Sequence, residues 1–230
     1  MKILNEDSLS QTINQAYHAE LFQIKISKEE KEATVSWMLN RAGQPGSYSG
    51  LSAPTKSDFK LGATMFTGEK ITSGAATAHI LGEDALSIIS RWKLADKALQ
   101  RDIASLSSQW SLKMDENERQ QGKPMGMFCC GKCSLAYWRG LLAGTMPRAQ
   151  ERLSQGLKLL QADRDGKGRW KRFPFYNTLW VLGEIPDPKA IKELHYAAPS
   201  MERFLKRTSS SDQQFDLRNR KIIEGILSQL

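Results

Sequence analysis

The spacing of apolar residues in the middle of the chain is the feature that most limits how it can fold. Between residues 85 and 106 they recur every three or four positions, which places them on one face of an α-helix. The members of this stripe are Ala85, Ile88, Ile89, Trp92, Ala95, Leu99, Ile103 and Leu106. Glu83 and Asp84 precede it, and acidic residues are favoured near the positive end of a helix dipole. We therefore predict one long helix that begins after a turn at Gly82.

The same period recurs in four other parts of the chain. The predicted helices cover residues 133–144, 147–160, 188–196 and 216–230. The third of them either continues through Pro199 or restarts there. Ser-Ser-Ser-Asp at residues 209–212 is predicted to be a linker and a helix cap.

Two stretches, residues 42–55 and 115–131, show neither the helical period nor the alternation of a buried strand. We therefore predict an all-α fold built of helical hairpins with long loops. A length of 230 residues suits one domain over residues 1–230, with a subdivision near 115–130 as the alternative.

Composition limits the class of protein. With 40% hydrophobic and 25% charged residues, the chain is unlike disordered or fibrous proteins. The net charge of +8 is compatible with an anionic ligand, an acidic protein surface or nucleic acid, and equally with a solvated basic surface. The sequence contains no apolar run of roughly 18 residues and starts without the apolar core of a signal peptide. We expect a cytoplasmic protein without a membrane span.

Two junctions between a helix and a loop, at residues 37–55 and 159–178, have similar sequences. Each contains an amide residue, an arginine, a glycine-rich turn, an aromatic residue after Gly-x, and a proline. The paired residues are Asn40 and Gln161, Arg41 and Arg164, Tyr48 and Trp170, and Pro54 and Pro174. Such self-similarity indicates a structural unit that is used twice.

The stretch QGLKLLQADRDGKGRW, at residues 155–170, resembles the Gln-Trp repeat of squalene cyclases and of protein prenyltransferase β subunits. Those proteins build α/α-toroids, so the resemblance implies a toroid-like or open helical-repeat arrangement. It also implies that Gln161 caps the next helix and that Trp170 stacks across the turn. The chain is too short for a six-hairpin ring, and an incomplete ring would favour a homodimer or docking to a larger protein.

Two further segments resemble the zinc site of the prenyltransferases. Residues 131–138 are similar to their Asp-Gly-Cys-Tyr-Ser-Phe-Trp segment, and residues 175–180 to their Phe-Tyr-His-Thr-Cys-Tyr segment. Gly131 and Asn177 stand where that family has its zinc-binding Asp and His, and Cys133 alone is retained. Because an amide is a poor zinc ligand, the resemblance implies architecture without the family's zinc chemistry. The acidic Asp-x-Asp-Asp motif of the cyclases is also missing from the sequence.

Cys129, Cys130 and Cys133 could bind zinc together with a distant histidine, either His79 or His195. The sequence contains no second pair of ligands at close spacing, so we interpret the thiols as residues that open a helix and expect no cofactor. A redox motif of Cys130 and Cys133 would lack the βαβ context that is typical of it. An enzyme that uses Cys133 as ligand or nucleophile with His195 remains an alternative.

The turn after residue 163 carries five cations around Trp170 and Phe173, which suits either an anionic ligand or a solvated turn around a buried indole. The loop that contains Tyr48 is the second surface of interest. We expect a binding domain that has lost prenyltransferase and cyclase chemistry, and a nucleic-acid scaffold is an alternative. The predicted binding residues are Tyr48, Asp58, Arg169, Lys171 and Arg172.

Overall fold

A computed structural model describes residues 1–122, 124–207 and 213–230, and these residues form ten α-helices. The helices are α1 (Leu9–Leu21), α2 (Lys28–Asn40), α3 (Lys56–Leu61), α4 (Gly74–Arg91), α5 (Lys97–Gln121), α6 (Gly131–Leu142), α7 (Ala149–Ala162), α8 (Phe175–Glu184), α9 (Pro188–Leu205) and α10 (Gln213–Leu227). The predicted all-α fold is confirmed. No helix in the described part of the chain is long and apolar enough to cross a bilayer.

Helix α4 lies at the centre of the molecule and packs along α6. On its other sides α4 contacts α1 and α5, while α8, α9 and α10 pack together against α6 and α1. One continuous hydrophobic core runs through these contacts, and most of α4 from Thr77 to Ile89 is buried in it. The pairing of α4 with α6 therefore determines the position of the other helices.

The single long helix predicted from Ala85 onward is wrong, because the chain breaks between α4 and α5. Lys93 has a positive φ of 44°, which a helix does not tolerate. Asp96 then caps α5 by accepting hydrogen bonds from the backbone amides of the second and third residues that follow it. The spacing of apolar residues in the sequence does not reveal this break. Leu94, which lies within it, is also buried. Gly82, predicted to be a turn, lies inside α4.

Other predicted boundaries have mixed outcomes. The loop at residues 42–55 is confirmed, but α5 extends to Gln121, so the first part of the stretch 115–131 is helical. Helix α9 runs without interruption through Pro199. The sequence prediction missed α1 and α3. It placed only the end of α2, at Asn40, and the predicted linker at 209–212 lies outside the described residues.

The two similar junctions close in the same way. In the first, the amide of Ala53 donates to the carbonyl of Arg41 at 2.9 Å; in the second, the amide of Lys171 donates to the carbonyl of Asp163 at 3.0 Å. Each accepting residue is the C-cap of its helix, and each loop contains one antiparallel bridge, Ala42 with Ser52 and Arg164 with Trp170. When the two junctions are aligned by these contacts, Ser52 corresponds to Trp170. The sequence comparison paired Trp170 with Tyr48 instead.

The contacts of the second junction differ from those that the Gln-Trp motif implies. Trp170 is buried, as predicted, and its Nε1 donates to Glu193 Oε2 at 2.9 Å. Gln161 is exposed. The first turn of α8 is capped by Glu69, whose Oε1 accepts from the amides of Tyr176 and Asn177 at 3.1 Å each. A carboxylate from a distant loop thus has the capping role that the motif assigns to glutamine.

The core also contains charged side chains. Arg139 is buried, donates to Glu184 Oε1 at 2.8 Å and stacks on the ring of Trp180, with 3.4 Å from its Cζ to the ring centroid. Tyr17 donates to Asp84 Oδ1 at 2.8 Å. Burial raises the pKa of Asp84 to about 6, although the positive charge of Arg139 opposes this shift. This carboxyl therefore titrates close to neutral pH.

Two helix glycines with different surroundings test the packing. A Cβ on Gly156 of α7 would lie 2.6 Å from the indole of Trp138, which is held by its hydrogen bond to the carbonyl of Gly126. We expect Gly156→Ala to lower the free energy of unfolding by about 1–3 kcal/mol, because the buried ring cannot move away. Gly225→Ala in α10 meets nothing within 4 Å and should raise it by about 0.5–1 kcal/mol through helix propensity. Urea unfolding measures both, and equal effects would contradict the packing argument.

The raised pKa of Asp84 predicts a pH-dependent stability. The unfolded carboxyl titrates near 3.9, so the folded state binds the proton more tightly and the stabilisation is complete below about pH 4. It is lost as the pH rises through about 6, and a pKa difference of about two corresponds to roughly 3 kcal/mol. We expect the stability of the wild type relative to Asp84→Asn to fall by about this amount between pH 4 and pH 7.5. A relative stability that stays constant over this range in urea unfolding would show that the carboxyl is not buried.

Candidate functional site

The structure brings His79 together with two of the three cysteines. His79 projects from the second turn of α4, Cys129 precedes α6, and Cys133 lies in its first turn. His79 Nδ1 is 3.6 Å from Cys129 Sγ and 3.8 Å from Cys133 Sγ, and the three ligand atoms lie within 4.8 Å of one another. We call His79, Cys129 and Cys133 the thiol–imidazole cluster.

The backbone around the cluster is held by local hydrogen bonds. Ser134 Oγ donates to the carbonyl of Cys130 at 2.7 Å and accepts from the amide of Phe128 at 3.0 Å. The amide of Ser134 donates to the same Cys130 carbonyl at 2.9 Å. These bonds tie both sides of Cys129 to the first turn of α6, so the spacing of the two thiols is fixed by the helix start.

Gly131 explains how the start of α6 can lie so close to a neighbouring loop. A Cβ at this position would lie 2.2 Å from the carbonyl oxygen of Arg172. The backbone of the basic turn therefore packs directly against the start of α6. A residue with a side chain, including the aspartate found at the corresponding position in the prenyltransferase segment, would not fit there.

Aromatic rings cover the imidazole. The ring of Tyr48 lies 3.9 Å from that of His79, and the ring of Phe128 lies 4.8 Å from it, both measured between centroids. Trp110 of α5 contacts Tyr48 and Phe128 edge-on. Tyr48, predicted to be a binding residue, thus belongs to the wall of the thiol–imidazole cluster and packs on one of its members.

The third cysteine lies beside the cluster. Interactions with the neighbouring thiols of Cys129 and Cys133 lower the pKa of Cys130. The neighbouring thiols of Cys129 and Cys130, together with burial, raise the pKa of Cys133 well above its usual range. Cys129 and Cys130 are exposed, whereas Cys133 is buried. Solvent therefore reaches the cluster from the side of Cys129 and Cys130.

The interatomic distances fit a tetrahedral metal ion. Bonds of about 2.3 Å from zinc to sulfur and about 2.0–2.1 Å to nitrogen separate a sulfur from a nitrogen by about 3.5–3.6 Å in a tetrahedron. The observed separations of 3.6 and 3.8 Å are close to this value. Thiolate and imidazole are also the ligands that zinc prefers in proteins.

His195, predicted to be the partner of the cysteines, is an exposed residue of α9 and is not part of the cluster. His79 is the histidine that lies beside the cysteines. The sequence prediction put a turn at Gly82, three residues after His79. In the structure both residues lie inside α4, where Gly82 packs against Leu51, since a Cβ on it would lie 2.9 Å from Leu51 Cβ.

Asp58, predicted to bind a ligand, is buried and its carboxylate is occupied by hydrogen bonds within the chain. It accepts from Ser8 Oγ at 2.6 Å, from the amides of Leu9 and Ser10, and from the amide of Thr55 at 2.7 Å. Asp58 therefore caps both α1 and α3 and is a structural residue.

Several of the cations in the basic turn also have partners within the chain. Arg172 Nε lies 2.7 Å from Asp163 Oδ1, and the guanidinium of Arg169 lies 4.4 Å from the ring centroid of Phe175. Arg164 makes two hydrogen bonds to Glu193. Lys171 is exposed. The two predicted binding arginines, Arg169 and Arg172, thus help to hold the turn.

The chain matches no protein-family model, no curated protein and no solved structure. The function is therefore argued from the geometry of the chain itself.

The role of Asp58 can be tested separately from the cluster. Asp58→Ala removes a charged acceptor from four donor groups, so we expect the free energy of unfolding to fall by at least about 2 kcal/mol. Asp7→Ala, an exposed acid in the loop before α1, should change it by less than about 0.5 kcal/mol. Urea unfolding of both variants measures the difference. A ligand-binding role would instead require that Asp58→Ala leaves stability unchanged.

Proposed function

We propose that this protein binds one zinc ion through His79, Cys129 and Cys133. The observation that carries the proposal is the convergence of two thiols and an imidazole within 4.8 Å, although His79 lies 50 residues before Cys129 in the sequence. Two packed helices bring them together. Their S···N separations are compatible with ligands of one tetrahedral ion.

The ligand types favour zinc over other divalent ions. Soft thiolates disfavour Mg²⁺ and Ca²⁺, which take oxygen ligands, and a mixed set of sulfur and nitrogen ligands is typical of tetrahedral zinc. Binding would require loss of a proton from each thiol, so the affinity should decrease as the pH falls. The nearby aromatic rings of Tyr48 and Phe128 fix the imidazole that the metal would use.

Three protein ligands leave a fourth position for solvent or an exogenous ligand, and the exposed Cys129 places this position at the surface. Sites that close on structural zinc usually have four protein ligands, whereas sites with three keep one position open. The proposal is thus a zinc centre that small molecules can reach. Cys130 adjoins Cys129 in the chain and is the candidate protein ligand for the fourth position, and the experiment below includes this outcome.

The earlier hypotheses have less support from the geometry. An anionic ligand at the basic turn would compete with Asp163 for Arg172 and with the ring of Phe175 for Arg169. A nucleic-acid scaffold needs a continuous basic surface, and the same intramolecular contacts reduce it. The toroid-like arrangement and a homodimer remain proposals that rest on the sequence resemblance and the length of the chain.

Metal titration of the purified protein tests the proposal. We expect the wild type to bind one equivalent of Zn²⁺ and to give a tetrahedral cobalt spectrum with thiolate charge-transfer bands when Co²⁺ is used. His79→Ala and Cys133→Ser should each weaken binding by more than about 100-fold, since even loss of a hydrogen-bond partner to a metal ligand costs about 10–100-fold. His195→Ala is the matched control and should bind as the wild type does.

Two results would contradict the proposal: no stoichiometric zinc in the wild type, or unchanged affinity in His79→Ala. The Cys130→Ser variant shows whether Cys130 occupies the fourth coordination position of the metal. If the thiolate bands of cobalt keep their intensity, two cysteines bind the metal as proposed. Loss of about one third of the intensity would show three thiolate ligands and a closed structural site.

A further inference from the structure

We propose that Cys130 and Cys133 form a disulfide when the protein is oxidised, and that this bond releases the metal by removing Cys133 from it. The inference rests on the proposed zinc site, in which Cys133 is a ligand and Cys130 is not. The cluster would then bind metal in its reduced form and lose it in its oxidised form.

The positions of the two cysteines in α6 fit a disulfide. Cys130 is the N-cap of the helix and Cys133 is its third residue. Helix geometry separates two such residues by about 5 Å between Cα atoms, and disulfides need 4.4–6.8 Å, so no large backbone movement is required.

The other two pairs fit less well. Cys129 and Cys130 are neighbours, and consecutive Cα atoms lie about 3.8 Å apart, which is below the range for a disulfide. Cys129 is separated from the helix by the extended backbone of Cys130, with φ of −153° and ψ of 176°. The Sγ atoms of Cys129 and Cys133 lie within 4.8 Å of each other, but in the proposed site both sulfur atoms are metal ligands. Both of their Sγ atoms also contact His79 Nδ1.

The difference in solvent exposure between the two cysteines indicates which of them is oxidised first. Cys130 is exposed and Cys133 is buried, so an oxidant in solution meets Cys130 first. Cys130 also keeps its thiol outside the proposed ligand set, whereas metal coordination occupies the sulfur atoms of Cys129 and Cys133. Cys130 is thus the accessible thiol, and Cys133 is the resolving one.

The chemistry balances with hydrogen peroxide as the oxidant. The sulfur of Cys130 attacks one peroxide oxygen, the O–O bond breaks, and Cys130 becomes a sulfenic acid as the other oxygen leaves as water. The sulfur of Cys133 then attacks the sulfenic sulfur, the S–S bond forms, the S–O bond breaks and a second water leaves. Two thiols lose two electrons and two protons in total. Exchange with a dithiol such as dithiothreitol reverses the reaction.

The test uses full-length protein loaded with one equivalent of Zn²⁺ and treated with hydrogen peroxide. We expect release of the metal, loss of two of the three thiols, and a mass decrease of two hydrogens mapped by peptide analysis to Cys130 and Cys133. Dithiothreitol should restore zinc binding. In Cys130→Ser, release should be at least about tenfold slower, because the accessible thiol that starts the reaction is missing. His195→Ala should release zinc at the wild-type rate.

The inference would be overturned by a mapped bond between Cys129 and Cys133, by oxidation of single cysteines without a disulfide, or by equal rates in Cys130→Ser and the wild type. The same treatment of metal-free protein separates the two proposals. A disulfide between Cys130 and Cys133 in a protein that binds no zinc would contradict the proposed function and metal release, and would support only the cysteine pairing. Zinc binding without this disulfide would contradict the further inference alone.

Discussion

The packing of α4 along α6 is the contact on which the rest of the structure depends. His79 contacts Cys133 near one end of the pair, and Ser87 Oγ donates to the carbonyl of Arg139 at 3.2 Å near the other. Residue numbers rise together along the two helices, so they run parallel. A parallel pair needs a long connection, which α5 and the segment before α6 provide. The thiol–imidazole cluster lies where that connection returns to α4.

Carboxylates hold the loops around this pair. Glu30 accepts from the amides of Ile3 and Leu4, Asp58 caps α1 and α3, and Glu69 caps α8. Each acid satisfies two or more amides that have no other partner at a chain start or a helix start.

Sequence patterns predicted the helices and turns that are specified by neighbouring residues. They failed where contacts between distant parts of the chain determine the structure. Helices α6 and α7 and the buried Trp170 followed from periodicity and from the glycine-rich turn. The break at Lys93 did not, because the apolar period continues across it. The histidine that contacts the cysteines could not be predicted from the sequence either, because both histidines have ordinary helical surroundings there. Only the packing of α4 on α6 distinguishes His79 from His195.

Cys133 stands where the prenyltransferase segment that the sequence resembles has its zinc-binding cysteine, but the groups around it in the structure are different. The prenyltransferase segments would supply an aspartate at residue 131 and a histidine at residue 177, but the carbonyl of Arg172 leaves no room for a side chain at Gly131. Here the imidazole comes from α4 and the second thiol from Cys129, directly before the helix. The proposed ligand set depends on which helix packs against the first turn of α6, so it is inferred from the tertiary contact and not from the motif.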